Sequence, residues 1–361
     1  MDALFHIPIL GFVFQFLAYV IDVIVNGHID PIILGLATPI ALGALCGVMN
    51  ERSGVVNIGI EGMMLFAAYF GFMTALAVSN VLPAEPGPVF GATPALVVGV
   101  VAAIAAGVVM SLLHAWLSIH VRADQIISGT IINILALGLT SYLNRLIKPF
   151  GSAGTFQSFR PPAELVNLPV VGWVFEMFLA VGPIAMSVIV FVIVLQILLF
   201  RSRWGLRTRA VGEHPKAADT VGINVIRLRT RNVLIGGIFA GLAGAYLTLE
   251  ATGSFQNGMT AGRGFIALAA MIFGRWTPLG AFGGALLFMG SQAFGVAIRL
   301  APPPGDLGTF LTGIQQGYPS LYNNFFLGLP YLLTIIVLAG VVGRSIPPAA
   351  DGRPYEKESA T

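Results

Sequence analysis

The stretch ALVVGVVAAIAAGVVMSLLHAWL, Ala95 to Leu117, contains no Asp, Glu, Lys or Arg. A helix needs roughly 20 apolar residues to cross the hydrocarbon core of a bilayer, and this run is long enough. A strand of a membrane barrel would alternate apolar and polar residues; this run does not. It reads as a transmembrane α-helix. Working outward, the whole chain has the same character: of 361 residues 56% are hydrophobic and 10% charged, with a mean hydropathy of +0.87. A soluble domain carries about 25% charged residues. The chain is therefore expected to be an all-α integral membrane protein, with residues 1–361 forming one transmembrane domain.

About ten hydrophobic segments are expected at 8–26, 30–49, 54–79, 91–119, 124–147, 180–200, 231–250, 265–275, 278–299 and 325–343. The segment 265–275 is too short to span alone and reads as a half-helix or part of a re-entrant hairpin. Such elements persist at membrane depth only when shielded by protein or lining a wet cavity. No Lys or Arg precedes Arg52, so the first segment lacks the basic start of a secretory signal and is expected to be a retained helix. The pairs Gly43/Gly47, Gly237/Gly241 and Gly280/Gly284 have the four-residue spacing that lets helices approach closely in lipid. They point to tight packing and to nothing more specific.

Basic residues set the orientation. Eight of the 19 Lys and Arg fall in 201–231, and short loops rich in Lys and Arg stay cytoplasmic. Alternating the crossings from that loop puts 14 basic residues inside and five outside. Both termini come out cytoplasmic, including the tail 344–361. Residues 148–179, rich in Gly, Pro and aromatics, form an external loop.

Polar groups inside the apolar runs are costly and usually face the bundle interior. In ERSGVVNIGIEGMMLFAAYFG (Glu51–Gly71), Asn57 and Glu61 have the spacing of one helical turn. Glu61 is either a structural carboxylate that pins two helices or a group lining a pathway, and the two roles are compatible. Along DQIISGTIINILALGLTSYLN, the residues Gln125, Gly129, Asn133, Thr140 and Asn144 share one helix face. An uncharged stripe of this kind suits a route for a neutral polar solute, or interhelical hydrogen bonding. GSFQNGMTAGRGF (Gly253–Phe265) reads as an external loop in which Arg263 is an interfacial anchor.

Catalysis finds little support. Cys46 is the single cysteine and is expected to be a buried structural thiol. The histidines His6, His28, His114, His120 and His214 lack metal-ligand spacing, and His114 and His120 are expected at the cytoplasmic end of a helix. A phosphate-binding loop needs G-x-x-x-x-G-K-[ST], and none of Lys148, Lys216 and Lys357 follows a glycine. No metal, no nucleic-acid partner and no enzymatic activity are expected. Within the basic loop, Pro215 suits the first position of a helix and Gly222 the position past its end. The stretch between reads as a two-turn helix, either a docking element or part of a solvated basic loop.

Three stretches carry a resemblance: Glu51–Gly71, GRGFIALAAMIFGRWTPLGAFGGALLF (Gly262–Phe288) and the tail PPAADGRPYEKE. Together they resemble the permease subunits of bacterial ABC importers. The nearest branch serves nucleosides and simple sugars, within the wider family for branched-chain amino acids and ribose. The resemblance implies an inverted-repeat fold in the bacterial cytoplasmic membrane and a role as the translocation pathway for a small polar solute, with nucleosides favoured over simple sugars. It implies a cytoplasmic ABC ATPase as partner, carrying ATP-Mg that this chain does not bind. It further implies a second permease, identical or different, and an external binding protein or lipoprotein. By position, Pro215–Val221 would be the helix that docks the ATPase, formed by Pro215, Lys216, Ala217 and Ala218 with Glu213, His214 and Asp219 at its edges. Asn57 and Glu61 would sit where a broken helix approaches the pathway, with Gln125, Asn133 and Thr140 along it. Ala350-Asp351 departs from the small or apolar pair more usual in the tail, a change given little functional weight. The competing class is an ion-coupled secondary transporter, for which Glu61 would be the main ionisable group, with Glu250 near a helix end.

Overall fold

The computed structural model describes residues 19, 30–82, 85–147, 151–166, 168, 172–300, 305–322, 324, 325, 328, 332 and 345–356. The expected segments 8–26 and 325–343, and with them the retained N-terminal helix, lie almost wholly outside the described residues. Every regular element among the described residues is a helix. In chain order they are α1 (Asp30–Glu51), α2 (Ile60–Val81), α3 (Pro94–Ala115), α4 (Gln125–Ile147), α5 (Ala163–Val166), α6 (Gly172–Leu179) and α7 (Pro183–Arg201). Then follow α8 (Arg203–Glu213), α9 (Pro215–Thr220), α10 (Val225–Ala245), α11 (Arg263–Phe273), α12 (Pro278–Leu300) and α13 (Asp306–Gly317). Wider π turns extend α3 over Trp116–His120 and α10 over Tyr246–Thr252.

Seven described helices are long and apolar enough to cross a membrane, and α11 is a shorter apolar helix. The expected half-helix is thus present, over 11 residues, or about 16 Å of a core about 30 Å thick.

Local chemistry starts several of these helices. The Thr93 hydroxyl accepts the N–H of Leu96 at 3.2 Å, with Pro94 at the first helical position. Ser202 caps α8 through Gly205 N–H at 3.1 Å, and Asn224 caps α10 through Arg227 N–H at 2.9 Å. Pro215 opens α9, and Gly222 takes up φ +83° just past its end, a left-handed conformation that favours glycine.

The chain forms two compact units. One comprises 1–37, 160–181 and 286–343. In it Tyr19, Ile298 and Tyr322 form a buried cluster with Phe294, Leu311 and Ile314 packed around it. The other comprises 38–159, 182–285 and 344–361 and holds every group discussed below.

In this second unit α2, α3 and α10 pack closely through small residues. A Cβ added to Gly241 would come within 2.6 Å of Ile104 Cα, and one on Gly237 within 2.7 Å of Ser111 Cβ. Gly43 and Gly47 face Ala267 and Met271 of α11, and Gly280 and Gly284 face Gly274 and Ala270. All three expected glycine pairs lie at close helix contacts. Large apolar side chains point outward instead, among them Val101, Val109, Ile127, Ile134, Val190 and Ile197. Asn50, Asn57, His114, Thr140 and Asn232 are buried. This distribution suits a protein whose solvent is lipid.

Candidate translocation and coupling site

The centre of the site is the break between α1 and α2, residues 52–59. Asn57 lies in this break, before α2 begins at Ile60. The helical face expected for Asn57 and Glu61 is therefore absent: the Asn57 side chain accepts the N–H of Gly59 at 3.0 Å, and this local bond favours a turn over a helix.

Unwound backbone in lipid must find partners within the protein, and side chains of α3 and α4 supply them. Val56 N–H donates to Gln125 Oε1 at 2.7 Å, and Asn133 Nδ2 donates to Ile58 O at 3.0 Å. Asn133 Oδ1 in turn accepts Gly62 N–H at 2.7 Å. His114 Nε2 lies 3.0 Å from Val56 O, and its Nδ1 lies 3.0 Å from Ser128 Oγ. Because a carbonyl only accepts, the Nε2–H tautomer follows, with Nδ1 accepting from Ser128. His114 is fully buried in the last turn of α3, the helix end expected for it, and the carbonyl freed by the break holds its ring.

Glu61 does its bonding across the unit. Its two oxygens accept the N–H groups of Gly262 at 2.7 Å and Gly264 at 2.6 Å, at the N-terminus of α11. Four N–H groups at a helix start lack intrahelical partners, and a carboxylate there also meets the positive end of the helix dipole. Gly264 has to be small, because a Cβ would come within 2.6 Å of Glu61 Cα. A second carboxylate does the same work elsewhere. Glu250 accepts from Ile184 at 2.7 Å and Ala185 at 3.1 Å, at the start of α7. In the sequence Glu250 showed only as a charge near a helix end.

The polar stripe of α4 does share a face. Gln125, Gly129 and Thr140 are buried and Asn133 half-buried on it. Gln125 and Asn133 meet the break, Thr140 bonds back to Ala136 O at 2.7 Å, and Asn144 donates to Asn257 at 3.0 Å. Of the five residues expected along a pathway, Glu61 and Asn133 retain surface while Asn57, Gln125 and Thr140 are enclosed by protein. Arg263 donates to the carbonyl of Met259 at 2.9 Å, steadying the turn before α11.

At the other end of the break lies a cluster that sequence reasoning missed. Trp276 Nε1 donates to Glu51 Oε2 at 2.6 Å, and Arg52 donates to the carbonyls of Trp276 and Arg275 at 2.7 and 3.0 Å. Arg275 and Trp276 both have φ +52°, a strained conformation for such residues, and Arg52 ties down both their carbonyls. Burial beside Arg209 lowers the Arg52 pKa, with Glu213 opposing. The tail 345–356 folds back onto this cluster. Arg229, 2% exposed, donates to Arg353 O at 2.8 Å and lies near Ala350 O. Ala350 N–H donates to Gly212 O at 2.9 Å, and Ala349 N–H to Glu213 Oε2 at 3.0 Å. Asp351 lies beside Glu51, and burial pushes its carboxyl up to about 7 against the pull of Glu51 and Arg229. This contact gives the Ala350-Asp351 departure a structural role that its sequence context did not show.

Helix α9 runs from Pro215 to Thr220, within the expected stretch. Ala218 is buried with Val211, Val225 and Tyr355, while Lys216 and Ala217 are exposed. Glu213, His214, Pro215, Lys216 and Ala217 form one side of a groove of about 890 Å³ whose other side is the tail. Asp219 is half-buried at the far end of the helix.

A family model described as the permease component of branched-chain amino acid transport systems matches residues 32–343. The chain is similar to a guanosine ABC transporter permease protein of Bacillus subtilis, 39% identical over 91% of this chain and 96% of that protein. It is 37% identical to a nucleoside ABC transporter permease protein of Lactococcus lactis, over 89% and 94% of the two chains. It is 34% identical to a putative glucose ABC transporter permease protein of Haloferax volcanii, over 86% and 90%. No solved structure gives a significant match.

Proposed function

The chain belongs to the family of permease components of branched-chain amino acid transport systems, a multi-pass protein of the inner membrane, and from that premise we propose that it carries nucleosides inward. The observation behind the solute is the near full-length identity, 39% and 37%, to permeases named for guanosine and for nucleosides. The 34% identity to a putative glucose permease keeps simple sugars as the second reading.

In this proposal the pathway runs beside the broken α1–α2 element. Glu61 and Asn133 border it, while Asn57, Gln125 and Thr140 support its wall from behind. Glu61 serves as a fixed cap on α11 rather than as a proton carrier, because both of its oxygens accept backbone N–H groups. Energy comes from ATP-Mg on a cytoplasmic ATPase that docks on Glu213–Asp219. A second permease completes the pore, and an external binding protein or lipoprotein delivers solute. Motion of α9 reaches the break through Gly212, which bonds Ala350, and through the tail held by Arg229. This chain binds no cofactor in the scheme.

The test is uptake by proteoliposomes holding the permease with its ATPase and binding protein, supplied with labelled guanosine, other nucleosides and glucose. ATP-dependent guanosine uptake, competed by other nucleosides and not by glucose, is the expected result. Glucose uptake without nucleoside uptake would replace the first reading with the second.

A further inference from the structure

A second cavity lies away from the broken helix, where α3 ends and α10 begins. It measures about 680 Å³, and its lining is ordered by polarity. Along α10 the lining passes from Arg227 and Arg231 to Leu234 and Ile238, with Val108 and His120 contributed by α3 and its extension. The α10 members recur at four-residue steps, as the pairs Ile226/Arg227, Thr230/Arg231 and Leu234/Ile235 and then Ile238, the spacing of one helix face. At 1.5 Å per residue, Ile238 lies about 16 Å along the helix from Arg227. A smaller cavity of about 240 Å³ shares Arg227 and Arg231 with it and adds Arg207.

Arg207, Arg227 and Arg231 are all exposed, and none makes an ion pair with a carboxylate among the described residues. Arg229, between two of them, points inward to the tail and is satisfied there. The two outward guanidinium groups therefore sit at the head of an apolar trough without an anion. The apolar runs of α3 and α10 that are long enough to cross a membrane end at His120 and begin at Val225, so the basic residues of the groove lie near the ends of both runs. Trp116, 54% exposed one turn before His120, is the residue type that anchors at membrane–water interfaces.

We propose that this groove binds an anionic phospholipid of the cytoplasmic leaflet, its phosphate on Arg227 and Arg231 and its acyl chain along Leu234 and Ile238. Charge complementarity selects the anionic head, since basic pockets on the cytoplasmic side of a helix bundle attract such lipids. The order of the lining selects a lipid over other anions. A free phosphate would satisfy the arginines and leave the apolar floor bare. A helix of a partner protein would cover the floor and leave the arginines unmatched.

The test is native mass spectrometry of the full-length permease in detergent, titrated with cardiolipin, phosphatidylglycerol, phosphatidylcholine and inorganic phosphate. Wild type is expected to retain either anionic lipid at least tenfold better than phosphatidylcholine. R227Q/R231Q should lose that preference, R227K/R231K should keep most of it, and I238W should weaken both classes by blocking the trough. Size-exclusion elution and helical circular dichroism report folding of each variant. If R227Q/R231Q misfolds, protection of Arg227 and Arg231 from an arginine-specific reagent, measured in wild type with each probe, decides the matter. Equal retention of anionic and neutral lipid, or equal protection by inorganic phosphate, overturns the proposal. So does full protection in lipid-free detergent by a second permease copy.

Discussion

Glu61 and Gly264 meet across 203 residues of chain, the carboxylate accepting the glycine N–H at 2.6 Å with no room for a side chain between them. Glu61→Gln keeps the shape but offers one acceptor oxygen in place of two. Hydrogen bonds to a charged group contribute about 1.5–3 kcal/mol, so a loss of that order in stability is expected by thermal unfolding in detergent. ATP-driven uptake should persist in Glu61→Gln and resist a protonophore; abolition of uptake with stability unchanged would instead point to a proton carrier. Gly264→Ala should be worse than Glu61→Gln, because its methyl collides with backbone.

Asn133 bonds both Gly62 N–H and Ile58 O. Asn133→Leu strands these two backbone groups where water is scarce, at about 1–3 kcal/mol for each unsatisfied group. Lower thermal stability and reduced uptake are expected together, with normal membrane insertion. Wild-type uptake at normal expression would remove Asn133 from the pathway proposal.

Helix α9 separates two alanines by burial. Ala217→Trp adds bulk on the exposed side and should reduce co-purification of the ATPase or its solute-stimulated turnover, leaving permease stability intact. Ala218→Trp overfills the cluster with Val211, Val225 and Tyr355, which costs about 1–3 kcal/mol. Retention of the ATPase and full stimulated turnover by Ala217→Trp would refute the docking role.

Docking of the tail should depend on pH. Asp351 is raised by burial to about 7 from 3.8, so the docked state holds a proton that the released state gives up. Docking is then strongest at acid pH, weakens as pH rises from about 4 through about 7, and levels off above. Glu51 and Arg229 face the group, and both oppose the shift that burial imposes. Limited proteolysis of 345–356 across this range should show the trend, and Asp351→Asn should flatten it. Arg229→Met, which leaves the carbonyl of Arg353 without its donor, should expose the tail at every pH.

Orientation is open to direct labelling in a Cys46→Ser background. Thr155 and Ala217 are both exposed, whereas Ala218 is buried and unsuited to a probe. A cysteine at 217 should react from the cytoplasmic side and one at 155 from outside. Reversed labelling would overturn the placement of the 201–231 loop and the ATPase with it.

Much of the architecture was legible in short windows of sequence. Runs such as Ala95–Leu117 exclude water-facing surface whatever packs beside them, so hydropathy alone marked the long apolar helices found among the described residues. Pro215 and Gly222 bracketed α9 because each constrains its own backbone. The pairs Gly43/Gly47, Gly237/Gly241 and Gly280/Gly284 announced close helix contacts because only small residues permit them.

What the windows could not contain was the partner of each buried polar group. Asn57 and Glu61 share a spacing that permits one helix face, and a local side-chain bond broke the helix between them. Glu61 bonds Gly262 and Gly264, His114 bonds Val56, and Trp276 bonds Glu51, each across 58 to 225 residues. A buried donor or acceptor must be satisfied, which the sequence states as a requirement. Which group satisfies it depends on how helices distant in the chain pack together, and that the tertiary structure alone decided.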